Sequence, residues 1–207
     1  MPLTERLTLA DSARAVELLR AGELVALPTE TVYGLFGLAR DEKVLERVFN
    51  VKKRTFDHAL NLNISSFQEL QEFSKNHPKY LEKLYNKFMP GSLTMILEAS
   101  VSVPKRVNNG MKTVGFRVPA HPVTLEILRQ TGPLVGPSAN LTGHPSPKTA
   151  QDVLRDLDGQ IAAILTDDAA ISGCDSTIVS LTGSRPEILR QGVITLEEIN
   201  EVIKNDF

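Results

Sequence analysis

Short apolar segments alternate with amphipathic helical segments along the chain, and this alternation most limits the folds open to it. Strand-like apolar runs stand at 24–27, 93–97 and 161–165, and apolar residues recur at helical spacing in 9–21, 42–51 and 149–157. Several strands are joined as hairpins, and the order is not a strict β-α-β repeat. The pattern therefore predicts an α/β domain with a mixed, twisted, open sheet and flanking helices.

The other predicted elements follow from the same periodicities and from turn and capping signals. Predicted strands are 24–27, 59–64, 93–97, 113–118, 134–135, 161–165, 176–181 and 186–190. Predicted helices are 9–21, 42–51, one beginning at Ser66, one beginning near Pro78, 122–128, 149–157 and 196–204. Asn108-Asn109-Gly110 is predicted to turn the chain between two of the strands.

Length and composition narrow the class of protein. The 207 residues are 42 % apolar and 23 % charged, which predicts one globular domain over 1–207. No apolar run is long enough to span a membrane, and the N-terminal residues lack the layout of a secretory signal. A lone cysteine, Cys174, makes a cytoplasmic location the default expectation. Because the formal net charge is −2, any nucleic-acid contact requires a local basic patch.

A dense group of polar residues follows the first buried strand. Pro28-Thr29-Glu30-Thr31-Val32-Tyr33-Gly34-Leu35 places two threonines, a glutamate and a tyrosine at the exit of the run 24–27. Loops at such exits commonly carry ligands. A β-turn with solvated hydroxyls explains the same residues, so both interpretations stay open for this segment alone.

Two basic positions differ in what they indicate. Lys52-Lys53-Arg54 ends the helix 42–51, where the helix dipole favours cations whatever the function. Arg117 instead stands in an apolar strand, where a permanently charged guanidinium needs an anionic partner or access to solvent. A structural carboxylate and a ligand carboxylate or phosphate are both open as that partner.

Three further segments combine small and polar residues: 136–147, 173–177 and 188–192. Small residues let a ligand approach the backbone, and Ser138, Asn140 and Ser146 offer hydrogen-bond donors, although ordinary turns have the same composition. The sequence contains no P-loop, dinucleotide-binding glycine motif or serine nucleophile elbow. Its four histidines and one cysteine show no zinc-ligand spacing.

Taken in order, seven segments resemble the YrdC-type threonylcarbamoyl-AMP synthases over about residues 9–194. They are Pro28 to Leu35, Lys52-x-Arg54, Pro90-Gly91-Ser92-Leu93-Thr94, Arg117-Val118-Pro119-x-His121-Pro122, Pro137-Ser138-Ala139-Asn140 through Ser146-Pro147, Ser176-Thr177-Ile178-Val179, and Leu189-Arg190-x-Gly192. Seven collinear matches are far more specific than any one of them.

The resemblance implies an open sheet around a large basic cavity, and a reaction of L-threonine, bicarbonate and ATP. The carbamate of threonine attacks the α-phosphorus, which gives threonylcarbamoyl-AMP and pyrophosphate. A threonylcarbamoyl transferase complex then uses the product to modify adenosine in tRNA. Mg²⁺ enters on the ATP phosphates, with no tightly bound cofactor and no metal site of the protein itself.

The resemblance also implies a division of the site residues. The threonine side would consist of Thr31, Tyr33, Asn63, Arg117, Gly136 and Ser176, with Arg117 on the threonine carboxylate. The ATP side would consist of Lys52, Arg54, His58, Thr113, Ser138, Asn140, Ser146 and Arg190. Lys52 and Arg54 are the predicted catalytic residues, because they would neutralise charge on the reacting phosphates.

The sequence departs from the family pattern at several positions, and two other functions stay open. Thr55 to Leu60 replaces a proline-containing segment, Asn63 stands where histidine is common, Lys148 where threonine is common, and Asp175 where glutamate is common. The chain is expected to lack the C-terminal domain that some members carry. The alternatives are a module that binds double-stranded RNA or tRNA, and a YciO-like protein of different activity. The Lys52-x-Arg54 motif with Ser138 and Asn140 favours the synthase.

Overall fold

The computed structural model describes residues 3–55 and 59–206, and the following elements all lie in those ranges. The strands are β1 Glu5–Leu7, β2 Val25–Leu27, β3 Gly34–Leu38, β4 Asn61–Asn63, β5 Ser74–Lys75, β6 Leu93–Ala99, β7 Thr113–Arg117, β8 Leu134–Val135, β9 Ala163–Leu165, β10 Thr177–Ser180 and β11 Glu187–Arg190. The helices are α1 Ser12–Arg20, α2 Glu42–Lys52, α3 Phe67–Phe73, α4 Leu81–Phe88, α5 Lys105–Asn108, α6 Pro122–Thr131, α7 Ala150–Leu157 and α8 Leu196–Ile203.

All of these strands belong to one mixed sheet. The order is β1-β9-β2-β3-β8-β4-β7-β6-β10-β11, and β5 pairs with β6 beside this path. The β1–β9, β9–β2, β4–β7 and β6–β10 pairs are parallel, whereas the other pairs are antiparallel. In the described residues β1 and β11 do not pair, so the sheet stays open. The predicted open, mixed α/β sheet is confirmed.

The two faces of the sheet are covered differently. The larger core lies on one face, where alternate strand residues such as Leu62, Phe116 and Val179 pack with α2, α4 and α8. On the opposite face α1 and α6 cover only the β1-β9-β2-β3-β8 part, through a smaller cluster that includes Leu19, Phe36 and Leu128. The remaining strands of this second face are therefore free to border a cavity.

Most predicted elements are confirmed, and their ends follow the capping signals. The first helix begins with a single 3₁₀ turn at Leu9–Asp11, where the Thr8 N–H donates to the Asp11 carboxylate, before α1 proper. Gly22 at φ +80° and Gly132 at φ +77° follow the ends of α1 and α6, because glycine adopts this conformation without a steric penalty. The predicted 176–181/186–190 hairpin is the β10–β11 pair.

Sequence patterning missed three strands and one short helix. No strand was predicted within 28–38, but the end of the polar segment 28–35 is the start of β3, in which two glycines interrupt the apolar run. β1 and β5 are too short for alternation to be recognised. The predicted turn at 108–110 is preceded by the single-turn helix α5, and Asn109 follows it at φ +53°. No helix in the described ranges reaches the length and apolarity needed to cross a membrane.

Candidate active site

A cavity of about 260 Å³ lies on the partly uncovered face of the sheet. Alternate residues of the strands and their extensions border it, as the two-residue period of a β-strand requires. We call it the inner cavity. Its lining consists of Thr29, Val32, Gly34, Phe36, Arg54, Ala59, Leu60, Asn61, Asn63, Thr94, Arg117, Gly136, Pro137, Ser138, Ser146, Asp175, Ser176, Ile178 and Arg190.

Three arginines from distant parts of the sequence meet at this cavity. Arg54 follows α2, Arg117 ends β7 and Arg190 ends β11, and Ser138 from the loop after β8 borders the same space. Backbone hydrogen bonds hold the loops together: the Tyr33 N–H donates to Pro147 O at 3.0 Å. Guanidinium groups stay charged at all physiological pH values, so the cavity attracts anions.

Arg117 is fixed by a partly buried ion pair. Its Nη2 donates to Glu30 Oε1 and to Thr31 Oγ1, each at 2.7 Å, and its Nε donates to Gly91 O at 3.4 Å. The Arg117 and Glu30 side chains are 12 % and 21 % exposed. Of the two partners that the sequence left open for Arg117, the structural carboxylate is present, and it is that of Glu30. Among the described residues, however, Arg117 Nη1 has no hydrogen-bond partner, which leaves this donor for an anionic ligand.

Asn63 presents an unpaired amide to the inner cavity. The residue is 3 % exposed, yet its side chain makes no hydrogen bond to a described residue. A Cβ on Gly136 would lie 2.5 Å from Asn63 Nδ2, so the absence of a side chain at 136 keeps this amide accessible. Because this amide borders the cavity, its donors and its acceptor are available to a ligand there.

The other side of the inner cavity is built around Ser176. Arg190 donates through Nε and Nη2 to Ser176 O, at 3.2 and 2.9 Å, and the Ser176 hydroxyl lies 3.0 Å from Thr94 Oγ1. Ser146 Oγ donates to Asp175 Oδ1 at 3.3 Å and joins the loop after β8 to the loop before β10. These contacts aim Arg190 and two hydroxyls at the same space.

A second cavity of about 290 Å³ adjoins the first and shares three lining residues with it, Arg54, Ser138 and Ser146. We call it the outer cavity. Its other lining residues are Lys52, Asn140, Thr142, Gly143 and His144. Five of the predicted ATP residues thus border one space: Lys52, Arg54, Ser138, Asn140 and Ser146.

Lys52 holds the loop that forms the wall of the outer cavity. Its buried ammonium group donates to Ser138 O, to Asn140 O at 2.7 Å and to Asn140 Oδ1 at 3.2 Å. Asn140 Nδ2 donates to His144 O at 2.6 Å, so the Asn140 amide is used inside the loop. Burial and the nearby Arg54 charge lower the pKa of Lys52 to about 8, whereas Asp156 acts in the opposite direction.

Four predicted site residues either do not line the two cavities or lie outside the described ranges. Tyr33 was predicted to line the pocket, but its ring is buried in the core and its hydroxyl donates to Asp168 Oδ1 at 2.7 Å. Thr113 was predicted to contact ATP, but it begins β7, about 13 Å along the strand from Arg117, and borders a separate groove. His58, also predicted on the ATP side, falls outside the described residues. Thr31 is buried behind Arg117 and supports its guanidinium.

The sequence matches a family model described as "Telomere recombination", which covers the Sua5, YciO and YrdC proteins, over residues 17–192. The chain belongs to the Sua5/YciO/YrdC family. The family membership that the seven motifs predicted is thereby confirmed. More than half of the chain, including both cavities, lies within the matched residues.

Relatives and solved structures of the Sua5/YciO/YrdC family agree with this assignment. The chain is 41 % identical to the threonylcarbamoyl-AMP synthase of Pyrococcus abyssi over 91 % of its own length and 56 % of the relative's. It is 40 % identical to that of Bacillus subtilis, over 92 % and 56 %. A crystal structure of P. abyssi Sua5 complexed with L-threonine superposes with a TM-score of 0.92 at 38 % identity, and covers 98 % of this chain and 61 % of that chain. The chain spans about half the length of these curated relatives.

Sequence reasoning missed several residues of the site in this Sua5/YciO/YrdC chain. Thr94, Asp175 and Glu30 each stand inside a segment that the sequence singled out, but none was assigned a role. Nothing in the sequence indicated that Phe36 and Asn61 border the cavity. The face of the sheet that a strand residue occupies is known only once the register is known. The pairing of Asn63 with Arg117 across β4 and β7 supplies that register.

Gly192, in the last family motif, allows the backbone to pack closely on the Ser176 side of the inner cavity. A Cβ on Gly192 would lie 2.4 Å from both Asp175 O and Thr177 N, which are backbone atoms that cannot move independently. We expect Gly192→Ala to lower the free energy of unfolding by about 1–3 kcal/mol, as overpacking does, and to weaken nucleotide binding. Thermal unfolding and nucleotide titration measure the two effects. Gly183→Ala is the matched control, because the nearest atom to its Cβ is 3.6 Å away; equal behaviour of both variants would contradict the packing argument.

Proposed function

We propose that this chain is an L-threonylcarbamoyl-AMP synthase, an enzyme that transfers the adenylyl group of ATP to the carbamate of L-threonine. The observation that carries the proposal is the convergence of Arg54, Arg117 and Arg190 on one cavity, which the Asn63 amide also borders. The names of the P. abyssi and B. subtilis relatives, and the threonine complex of P. abyssi Sua5, support the same reaction.

The reaction needs bound, oriented anions rather than a protein nucleophile. The amine of threonine and bicarbonate form a carbamate with loss of water. A carbamate oxygen then attacks the α-phosphorus of ATP, the bond from that phosphorus to the bridging oxygen breaks, and pyrophosphate leaves. Mg²⁺ accompanies ATP as part of the substrate. Positioning of the reactants and stabilisation of charge on the phosphoryl oxygens are the contributions required of the protein.

In the inner cavity we assign threonine to the Asn63 and Arg117 side. The Nη1 donor of Arg117 is directed to the threonine carboxylate, and the Asn63 amide hydrogen-bonds to the amino acid or to its carbamate. Thr94 and Ser176 supply hydroxyls at the far wall. The Glu30–Arg117 pair keeps the guanidinium in place before substrate arrives, which lowers the cost of ordering it on binding.

We assign ATP to the junction of the inner and outer cavities. Arg54, Ser138 and Ser146 border both spaces, so they contact the phosphates nearest the reacting centre. Lys52 acts mainly by holding the loop 136–147, with its charge close to the phosphates. Arg190 contributes a second guanidinium from the opposite wall. The product would pass to a threonylcarbamoyl transferase complex for tRNA modification.

Pyrophosphate release from ATP tests the function directly. The proposal predicts release that requires both L-threonine and bicarbonate. Release without threonine, or none at all, argues against it. Binding of double-stranded RNA with a steep salt dependence and no pyrophosphate would indicate the RNA-binding alternative, and ATP turnover with another acceptor would indicate a YciO-like activity.

Arg54→Ala and Arg190→Ala test the contributions of the two opposite walls of the proposed nucleotide site to ATP binding. Each removes a charge-assisted contact to phosphate, so we expect the dissociation constant for ATP to rise about tenfold or more, as loss of about 1.5–3 kcal/mol requires. Arg14→Ala is the control, because Arg14 lies on the exposed face of α1 beside Glu5 and Glu17. Isothermal titration with a non-hydrolysable ATP analogue measures the change. Affinity equal to that of the control in both variants would remove these arginines from the site.

A further inference from the structure

Tyr33 is a buried residue whose hydroxyl group is used inside the protein. The residue is 0 % exposed and does not line either cavity. Its hydroxyl donates to Asp168 Oδ1 at 2.7 Å and accepts from the Asp167 N–H at 2.9 Å. Phenylalanine would fill the same apolar space, and a buried hydroxyl is unfavourable unless it is hydrogen-bonded. Any effect of this hydroxyl on the cavities therefore passes through its two contacts.

The backbone of Tyr33 is bonded to the loop 136–147 at two points. The Ala139 N–H donates to Tyr33 O at 2.8 Å, and the Tyr33 N–H donates to Pro147 O at 3.0 Å. Ser146, which borders both cavities, directly precedes Pro147. The two bonds therefore fix both ends of the part of the loop that forms the cavity walls.

The hydroxyl of Tyr33 extends this attachment to the helix that follows the loop. Asp168 Oδ1, which accepts from the hydroxyl, also accepts from the Ala150 N–H at 2.8 Å. Ala150 is the first residue of α7, and the loop leads into this helix. One carboxylate oxygen thus joins the Tyr33 side chain to the start of α7. Residue 33 holds the loop at two points on the loop itself and at a third point just beyond its end.

We propose that Tyr33 is a positioning residue for the nucleotide, which acts by holding the loop 136–147 through its backbone and, by way of Asp168, through its hydroxyl. The proposal rests on the function proposed above, in which Ser138 and Ser146 of this loop contact the phosphates of ATP. Removal of the hydroxyl loosens the start of α7 and the end of the loop that carries Ser146. Since the hydroxyl touches no reacting atom, its loss raises KM for ATP and leaves kcat nearly unchanged.

A contribution of the hydroxyl to overall stability alone makes a different prediction. In that case Tyr33→Phe lowers Tm, as loss of any buried hydrogen bond does, without an effect on nucleotide affinity. Thr4→Val is the matched control, because the buried Thr4 hydroxyl also donates once, to Ile161 O at 3.2 Å, and accepts once, from the Gly159 N–H at 2.9 Å. Thr4 directly precedes β1 and does not line either cavity.

The first measurement is a calorimetric titration of wild type, Tyr33→Phe and Thr4→Val with a non-hydrolysable ATP analogue. We expect Tyr33→Phe to bind about three- to tenfold more weakly than wild type, as loss of one positioning hydrogen bond implies, and Thr4→Val to match wild type. Pyrophosphate release should show the same rise in KM for ATP, with kcat close to that of wild type. Hydrogen exchange without ligand should be faster at the amides of 139–150 in Tyr33→Phe and unchanged there in Thr4→Val.

Two substitutions of Asp168 test the route from the hydroxyl to the loop. Asp168→Asn keeps an acceptor oxygen for the Tyr33 hydroxyl and the Ala150 N–H, so we expect it to retain near-wild-type affinity. Asp168→Ala removes this acceptor and should weaken binding as Tyr33→Phe does. Adding Tyr33→Phe to Asp168→Ala should then cause little further loss, because both changes break the same link.

Equal affinity of Tyr33→Phe and Thr4→Val for the analogue would overturn the proposal. So would unchanged hydrogen exchange at 139–150 in Tyr33→Phe, fully additive effects of the two substitutions, or the absence of analogue binding by the wild type. The binding and exchange measurements require neither threonine nor bicarbonate. Weaker binding by Tyr33→Phe without threonine-dependent pyrophosphate release would therefore refute the synthase function and support the positioning role of Tyr33 in a nucleotide site.

Discussion

Replacement of Arg117 by methionine is expected to lower kcat/KM for L-threonine by about 100-fold or more. The variant removes the donor that faces the inner cavity, and a charge-assisted contact to a carboxylate contributes about 1.5–3 kcal/mol. It also leaves the Glu30 carboxylate uncompensated next to the site where an anion must bind. The measurement is threonine-dependent pyrophosphate release as a function of threonine concentration. Arg129→Met, at an exposed ion pair with Glu126, is the control.

The Arg117 variant should also unfold more easily, and a second substitution separates the two effects. Removal of one partner of this partly buried pair costs about 1–3 kcal/mol, which for a chain of this length lowers Tm by roughly 2–12 °C. The double variant Glu30→Gln/Arg117→Met removes both charges, so we expect it to recover most of the stability but not the activity. A double variant with near-wild-type kcat/KM for threonine would show that Arg117 acts only on the fold.

Replacement of Lys52 by methionine is expected to raise the dissociation constant for ATP by about 10- to 100-fold at pH 7. The ammonium group joins three oxygens of Ser138 and Asn140, and loss of that common donor releases the wall of the outer cavity. Lys43→Met is the matched control, because Lys43 lies on the same helix α2 and is exposed. Equilibrium titration with an ATP analogue gives both constants.

The pKa of Lys52 adds a pH dependence to the same experiment. With the pKa lowered to about 8, the side chain is an ammonium ion below pH 8 and a neutral amine above it. Wild-type affinity for ATP should therefore decrease as pH rises from 7 to 9, and Lys52→Met should lack this step. Equal pH profiles of the wild type and Lys52→Met would contradict the assignment of the charge to Lys52.

The mixed α/β architecture could be predicted from the sequence because its helices and long strands have strong periodicities. β6 carries an apolar run, and α7 has a capping box at Thr149 and Asp152. The strands that were missed contain three or fewer residues or are interrupted by glycine, so local patterning carries no signal for them. Their pairing depends on tertiary contacts between β1 and β9 and between β3 and β8.

In the candidate site, too, local motifs identified residues, whereas their orientation depends on contacts between distant parts of the chain. The motifs identified Arg54, Arg117, Ser138 and Arg190, which all border the inner cavity. They could not distinguish a residue that faces the cavity from one that supports it. Lys52 and Asn140 make their hydrogen bonds within the loop 136–147. The Tyr33 hydroxyl donates to Asp168. That distinction depends on side-chain direction, which three-dimensional packing determines.

The identity of the adenylate formed from labelled substrates shows whether the threonine carbamate attacks the α-phosphorus of ATP. The protein would be incubated with ATP, L-threonine and ¹³C-bicarbonate, and the nucleotide products analysed by mass spectrometry. We expect an adenylate that contains threonine and one ¹³C atom, formed together with pyrophosphate. Formation of ADP and phosphate, or of an adenylate without the labelled carbon, would contradict attack of the threonine carbamate on the α-phosphorus.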